Sequence, residues 1–533
     1  MKTSGPTAIR AACAGAAGVI AVGSALAAGE LAAVAVSPDA SPYFAVGSAV
    51  VDRTPDGVRE WAITTFGTND KAALFIGMGV AIVLLAVGSG LAQWRRPPAG
   101  SVVIGGFAVV GAVAALNRPT AVWTYAVPSV IAGIVGIVVL QTLVGMLPVP
   151  HADRTRDERD TRPDGDVESD PAPEDHRVVV PRRFVLAAGG VVAAAAVLGG
   201  IGRRLLADTS RTLADRAHLV LPRPARPAPP IPPGVDLAAD GASSFVTSNA
   251  DFYRIDTALQ VPKLTTGDWS LRIHGMVDEE ITVTWDELVA MPMVERLVTL
   301  TCVSNEVGGD LIGNARWLGV PMKVLLDRAG VRPGADMLLS TSADGWTCGT
   351  PVSTIIDGRD AMLAIGMNGE PLPIEHGYPI RQVIPGLYGY VSATKWVVDW
   401  EITRFSESSA YWTSRGWSAL GPIKLASRID RPGNGSSRRA GDVVVAGSAW
   451  AQHTGIARVE VRIDEGPWQQ AELAVDYSDD TWRQWRYVWP ATKGDHTVEC
   501  RAIDKAGHAQ VEDIAAPAPD GATGLDGRSY TIT

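Results

Sequence analysis

Thr299-Leu-Thr-Cys-Val-Ser-Asn-Glu-Val-Gly-Gly309 sets one cysteine, Cys302, between a β-branched run and a glycine turn. The preceding residues, Val294–Thr301, read as a strand, because β-branched side chains pack well on a pleated surface. Loops at strand ends are where rigid scaffolds display chemistry, so a thiol at this junction is a candidate nucleophile or metal ligand. Taken alone, the segment favours a plainer reading: Cys302 as a small buried hydrophobe, the common state of a free cysteine. The rest of the chain shifts that balance.

With 533 residues the chain has room for two or three domains. Its net charge of -10 argues against nucleic acid as a partner, since phosphate contacts need a basic face. Cys13, Cys302, Cys348 and Cys500 are scattered with no CxxC spacing, which excludes a zinc pattern and a disulfide scaffold.

Apolar runs without charge fall at 11–29, 72–92, 101–116, 126–147 and 184–202. Each is near the roughly 20 residues that cross a bilayer as a helix, the form that pairs every backbone group internally. Lys2, Arg10, Arg95, Arg96 and the arginines between 151 and 183 fall on one set of loops; the other set carries only Arg53, Arg59, Lys71 and Arg118. By the positive-inside rule the N-terminus is cytoplasmic and everything after 202 lies outside, as in a multi-pass protein of the cell membrane. Arg203 and Arg204 run against that rule, so a four-span chain with a cytoplasmic C-terminal half is the alternative. Arg182-Arg183-Phe184 before an alanine- and glycine-rich run resembles a twin-arginine export signal, although the phenylalanine sits one position early. The other reading is two ordinary positive-inside arginines.

The expected organisation is a region of four transmembrane helices at 1–150, a disordered cytoplasmic linker at 151–181 and a fifth helix at 182–202. A Pro-rich linker at 203–242 follows, then a mixed α+β domain at 243–410 and an all-β sandwich at 418–533. The tract 151–177 is almost free of apolar residues and cannot bury a core. Prolines crowd 221–234 and favour a stiff polyproline spacer holding the outer half off the membrane. Thr284 with Glu287 is a capping box for a helix over 284–291, and 320–329 is an amphipathic helix stopped by Gly330. Past 421, short strand-like runs separated by turns suggest an immunoglobulin-like sandwich, with Trp468, Trp482, Trp485, Tyr487 and Trp489 as core and interface.

A second cluster follows Cys302: Asn368-Gly-Glu-Pro-Leu-Pro-Ile-Glu-His376-Gly-Tyr-Pro-Ile-Arg381, then Val383-Ile-Pro-Gly386, Gly389 and Thr394-Lys395-Trp396. Read alone, one histidine and two cations on loops between strands fit an anionic ligand such as a phosphate, and structural salt bridges fit equally well. Taken with Cys302, the cluster resembles the sulfite oxidase superfamily of molybdenum enzymes. That family shares a T-x-x-C-x-x-N element and a downstream N-G-x-P-L-P, H-G-[FY]-P-x-R and K-W block. The resemblance implies a small-molecule oxidoreductase with a molybdenum–molybdopterin cofactor, a five-helix membrane anchor being this chain's addition. It implies Cys302 as the metal's thiolate ligand and catalytic residue, in keeping with the affinity of soft thiolates for transition metals. It places Asn249, Phe252 and Tyr253 over the cofactor, and His376, Arg381, Gly389, Thr394 and Lys395 around the pterin and its phosphate. The sandwich then matches the family's dimerisation domain, implying a homodimer.

Two departures stand out. Sulfite-oxidising members follow the cysteine with Ala-Gly-Asn-Arg; here Glu306 takes the arginine position, and a carboxylate repels sulfite. Where those members carry a tyrosine before Glu-Met-Asn-Gly, this chain has Ile365. The expected substrates are therefore oxidised compounds such as S- or N-oxides, with a true sulfite oxidase and a non-catalytic surface receptor as alternatives. Arg316 and Asp344 are weaker candidates for the pocket. None of the eight histidines lies in an apolar run, so no haem is expected there, and electrons would pass to a separate cytochrome or quinone-linked protein. Gln141, the polar residue well inside a span, is expected to pack against another helix rather than bind a quinone.

Overall fold

The computed structural model describes residues 5–55, 57–58, 61, 65, 70–118, 121–147, 182–207, 210–238 and 241–533. Two compact units are present, 1–208 and 209–533. The expected linker at 151–181 lies outside the described residues.

In the first unit five helices are long and apolar enough to cross a membrane: Ala8–Val34, Ala73–Arg95, Ala99–Leu116, Trp123–Gly145 and the one that begins at Arg182, described as Arg182–Ala207. An unforeseen short helix, Pro42–Arg53, is capped by Ser41 and starts on a proline, whose missing N–H costs nothing there. Small residues bring helices together, as lipid gives no hydrophobic drive for association. A Cβ on Gly18 would strike the Ala86 carbonyl, and one on Gly90 the Ala14 carbonyl. Gln141 donates to Ser101 Oγ at 3.3 Å, and Ser101 in turn donates to Gln93. Gln141 thus meets a neighbouring helix, as expected, and does so through a hydrogen bond.

The second unit joins an α+β half to a two-sheet sandwich. One α+β sheet orders β3 (Val294–Thr301), β4 (Ile312–Pro321), β7 (Met362–Met367) and β8 (Glu370–Pro371), with β9 (Arg381–Val383) also on β7. The other runs β2 (Ile281–Thr284), β1 (Ser270–Gly275), β10 (Val397–Thr403), β5 (Met337–Ser342) and β6 (Thr347–Pro351). The expected helices form at Trp285–Val289, with both capping-box bonds, and Met322–Ala329, where Gly330 turns left-handed. The sandwich stacks sheets of four and five strands on one core that includes Val445, Trp485, Val459 and Cys500. Trp482 belongs instead to the α+β core.

The stretch 203–242 corrects the spacer expected of it. Helix Ser210–His218 docks on the α+β half: Asp215 accepts from Tyr378 Oη at 2.6 Å, and Arg216 donates to Leu372 O at 2.8 Å. The proline tract lies along the body, with Ala225 N–H on Met293 O at 2.8 Å and Tyr477 Oη on Pro229 O at 2.8 Å. Polyproline backbone has no internal hydrogen bonds, so its carbonyls are free for neighbours, and Val235 adds a buried apolar anchor.

Candidate active site

Cys302 is the first residue after β3, in the loop that turns the chain back into β4. The loop closes on itself: Cys302 N–H donates to Leu311 O at 2.9 Å, and Leu311 N–H to Asn305 Oδ1 at 2.8 Å. Gly308 sits at φ 72, where a Cβ would collide with Asp526, so both the turn and the close approach require glycine. The sandwich grips the loop from outside. Arg428 donates to Gly309 O at 2.8 Å and Arg528 to Gly308 O at 3.0 Å, each arginine neutralised by its own carboxylate, Asp430 or Asp526. Burial pushes the free Cys302 thiol up, partly offset by hydrogen bonds from Ser304; a coordinating metal ion deprotonates a thiol outright.

Tyr253 senses the Cys302 thiol, and most of the other candidates touch one another through it and its neighbours. Asn368, at φ 53, turns β7 into β8 and donates to Asn249 Oδ1 at 2.8 Å. That bond holds the segment bearing Phe252 and Tyr253, whose rings stack at 5.2 Å. Phe252 meets Trp317 and His376 edge-on, each at 5.7 Å, and lies where a Gly313 Cβ would be. Burial, and secondarily the Cys302 thiol, push the Tyr253 phenol up, while Arg381 pulls it down. Gly389 is close by: a Cβ there would lie 3.9 Å from Tyr253 Oη and 3.8 Å from Thr301 O.

His376 is held near 4, and thus neutral, by burial and then by Arg381 and Lys395. Its Nε2 lies 3.3 Å from Asn249 O, which assigns the proton to that nitrogen. Arg381 is 6% exposed; it stacks over Trp317 and donates to His376 O at 3.1 Å, yet no carboxylate lies within ion-pair distance among the described residues. Burial brings it down to about 10. Lys395 donates to Asp256 at 2.8 Å and Glu375 O at 3.1 Å, and burial outweighs that ion pair, leaving it at about 8. Gly377, at φ 116, lets Arg381 and Lys395 approach, since a Cβ would be 3.0 Å and 3.2 Å from theirs. Thr394 stands apart: its hydroxyl is 2.7 Å from Ser340 Oγ, and the residue is fully buried. Arg316 is ion-paired with Glu295 at 3.1 Å.

A buried cation without a carboxylate is costly unless an anion joins it. Both polar atoms of the neighbouring Gln382 side chain lack partners, as does Thr301 Oγ1 beside Cys302. An anionic, hydrogen-bonding group carrying a soft metal fits this set. Sequence reasoning missed Asp256, the counter-ion of Lys395, and Tyr388, a buried phenol between Gly386 and Gly389. The glycines around Tyr388 were the available signal.

Residues 258–412 match the family described as "Oxidoreductase molybdopterin binding domain". An uncharacterized oxidoreductase of Bacillus subtilis, YuiH, is 31% identical over 169 residues, covering 30% of this chain and 82% of that protein. The chain belongs to the molybdopterin-binding oxidoreductases. Mitochondrial sulfite oxidase of Rattus norvegicus is 28% identical over 323 residues, 51% of this chain. The matched part spans 58% of the rat protein's length. The sulfane dehydrogenase SoxCD of Paracoccus pantotrophus aligns at a TM-score of 0.47 with 22% identity, over 57% of this chain and 88% of that one. The sulfite-oxidase relationship and the molybdopterin cofactor it implies agree with the resemblance read from the motifs.

Proposed function

We propose that this is a membrane-tethered oxidoreductase with a molybdenum–molybdopterin centre on the outer face of the cell membrane. It transfers oxygen atoms, or makes another two-electron change, and exchanges electrons with a separate cytochrome or quinone-linked protein. The observation that carries this reading is Arg381, buried without a carboxylate beside neutral His376 and beside Tyr253, which in turn senses the Cys302 thiol. Cys302 would hold the metal; His376, Arg381 and Lys395 would hold the pterin and its phosphate. When bound, that group supplies the redox change and the oxygen transfer. The chain's own residues bind and orient: Asn249 O fixes the His376 proton on Nε2, Arg381 offers its charge, and Phe252 with Tyr253 excludes water. The five apolar helices act as anchor, and the sandwich is an immunoglobulin-like domain that pairs two copies.

Metal analysis of the purified full chain tests the centre. About one molybdenum per chain, lost in Cys302→Ser at unchanged melting temperature, is expected; a metal-free wild type would leave the receptor reading. A reporter fused after Thr533 should be active outside the cell, and Arg182-Arg183 replaced by Lys-Lys should abolish that. Sulfite-dependent ferricyanide reduction at a rate above that with other donors would favour a true sulfite oxidase, as the curated relatives' names do.

A further inference from the structure

Helix Ser210–His218 follows the fifth apolar helix in sequence, with only residues 208 and 209 between them, and has no part in the site as described so far. It is firmly seated on the α+β half. Thr212 is buried, and Leu219 just beyond the helix packs on the apolar cluster of Phe252, Trp317 and Tyr378. Leu221 then occupies space beside β7, since a Cβ on Gly366 would lie 2.9 Å from its Cδ1.

Consecutive residues on a helix diverge by about 100°, and Asp215 and Arg216 use that divergence to grip two points of one segment, 368–381. Asp215 Oδ2 accepts from Tyr378 Oη at 2.6 Å and from Thr266 N–H at 2.7 Å, and Oδ1 accepts from Thr266 Oγ1 at 2.9 Å. Tyr378 is fully buried, so its hydroxyl is costly unless that acceptor is in place. Arg216 donates from Nε to Leu372 O at 2.8 Å and from Nη2 to Pro371 O at 2.7 Å, with Glu370 as counter-ion at 3.4 Å. Each grip lies close in sequence to groups assigned to the cofactor. Tyr378 stands between His376 and Arg381. Glu370 follows Asn368, whose amide holds Asn249 at 2.8 Å, and Asn249 O in turn faces His376 Nε2 at 3.3 Å.

We propose that this helix is a latch on the cofactor segment. Asp215, through Tyr378, and Arg216, through the 370–372 carbonyls, are positioning residues that keep His376, Arg381 and Asn249 in place for a phosphate-bearing pterin. The proposal rests on the molybdopterin reading for the identity of that ligand. It extends the cofactor's support beyond the α+β domain, to the residues that follow the last apolar helix.

Retention of molybdenum and pterin fluorescence by the full-length holoenzyme during dialysis tests the latch. Asp215→Ala should lose cofactor about tenfold faster, the worth of one buried hydrogen bond, and Arg216→Ala likewise, with Arg216→Lys between it and wild type. In a Tyr378→Phe background, Asp215→Ala should change the loss by about twofold or less, because the hydroxyl it serves is gone. Arg211→Ala, on the same helix but paired with Asp268 at 3.8 Å, should retain cofactor like wild type. Amide exchange of the cofactor-free protein gives a second readout: Asp215→Ala should speed exchange at 376–378 about tenfold and leave Ser270–Gly275 unchanged. If Asp215→Ala melts early, the order of Arg216→Lys and Arg216→Ala decides. Equal retention by wild type and Asp215→Ala, or an Asp215→Ala effect undiminished in the Tyr378→Phe background, overturns the proposal. A wild type without molybdenum would instead sink the molybdopterin reading, and unchanged exchange at 376–378 would then sink the latch as well.

Discussion

Cofactor affinity should fall with rising pH because of one lysine. Lys395 sits at about 8, brought down by burial despite Asp256 at 2.8 Å. A cofactor phosphate that came within about 4 Å would add roughly 4 kcal/mol per unit charge at an effective dielectric of 20, and so would lift the amine by about three pH units. Binding then takes up one proton between pH 8 and about 11. Between pH 7.5 and 9.5 affinity should drop roughly 25-fold, about 2 kcal/mol. The cofactor-free protein should show the opposite trend. Its folded lysine titrates below the unfolded value of about 10.4, so the unfolded state holds more protons in that window. Stability therefore rises with pH from about 8 to 10.4, by at most about 3 kcal/mol, and the lysine contributes no slope below 8. Dialysis at each pH, followed by pterin fluorescence and molybdenum analysis of the retained protein, measures the first trend; urea unfolding of the apoprotein measures the second. A pH slope that persists undiminished in Lys395→Met would refute the assignment.

Thr299→Val should cost about 1–3 kcal/mol by urea midpoint, because it strips the buried Trp482 N–H of an acceptor at 2.8 Å. Gly308→Ala, at φ 72 against Asp526, should lower both melting temperature and molybdenum content, whereas the same change at the open Gly358 should affect only the former. His376→Gln, which keeps a donor toward Asn249 O, should retain more cofactor than His376→Phe, judged by pterin fluorescence.

Much of the site is legible in the sequence because its parts are local. Val294–Thr301 is a strand by composition, the glycine pair marks its turn, and 368–381 is dense in turn residues. Thr284 and Glu287 announce their helix by spacing alone. What escaped depends on distance in sequence. Asp256 meets Lys395 across 139 positions, and no periodicity encodes that pairing. Prolines at 222–233 dictate an extended backbone but not whether it stands free, and here it lies along the body. Thr394 shows the converse: a motif places the residue, yet its hydroxyl turns to Ser340, 54 positions back.

Arg428 and Arg528 close the cysteine loop from 119 and 220 positions downstream. Contacts that remote are slow to close, because chain entropy must be lost before they reward it. Both clasps belong to the sandwich, so on the ribosome the full cradle exists only once that domain has been made. Truncation within the sandwich therefore strikes a cradle that the sandwich does not contain.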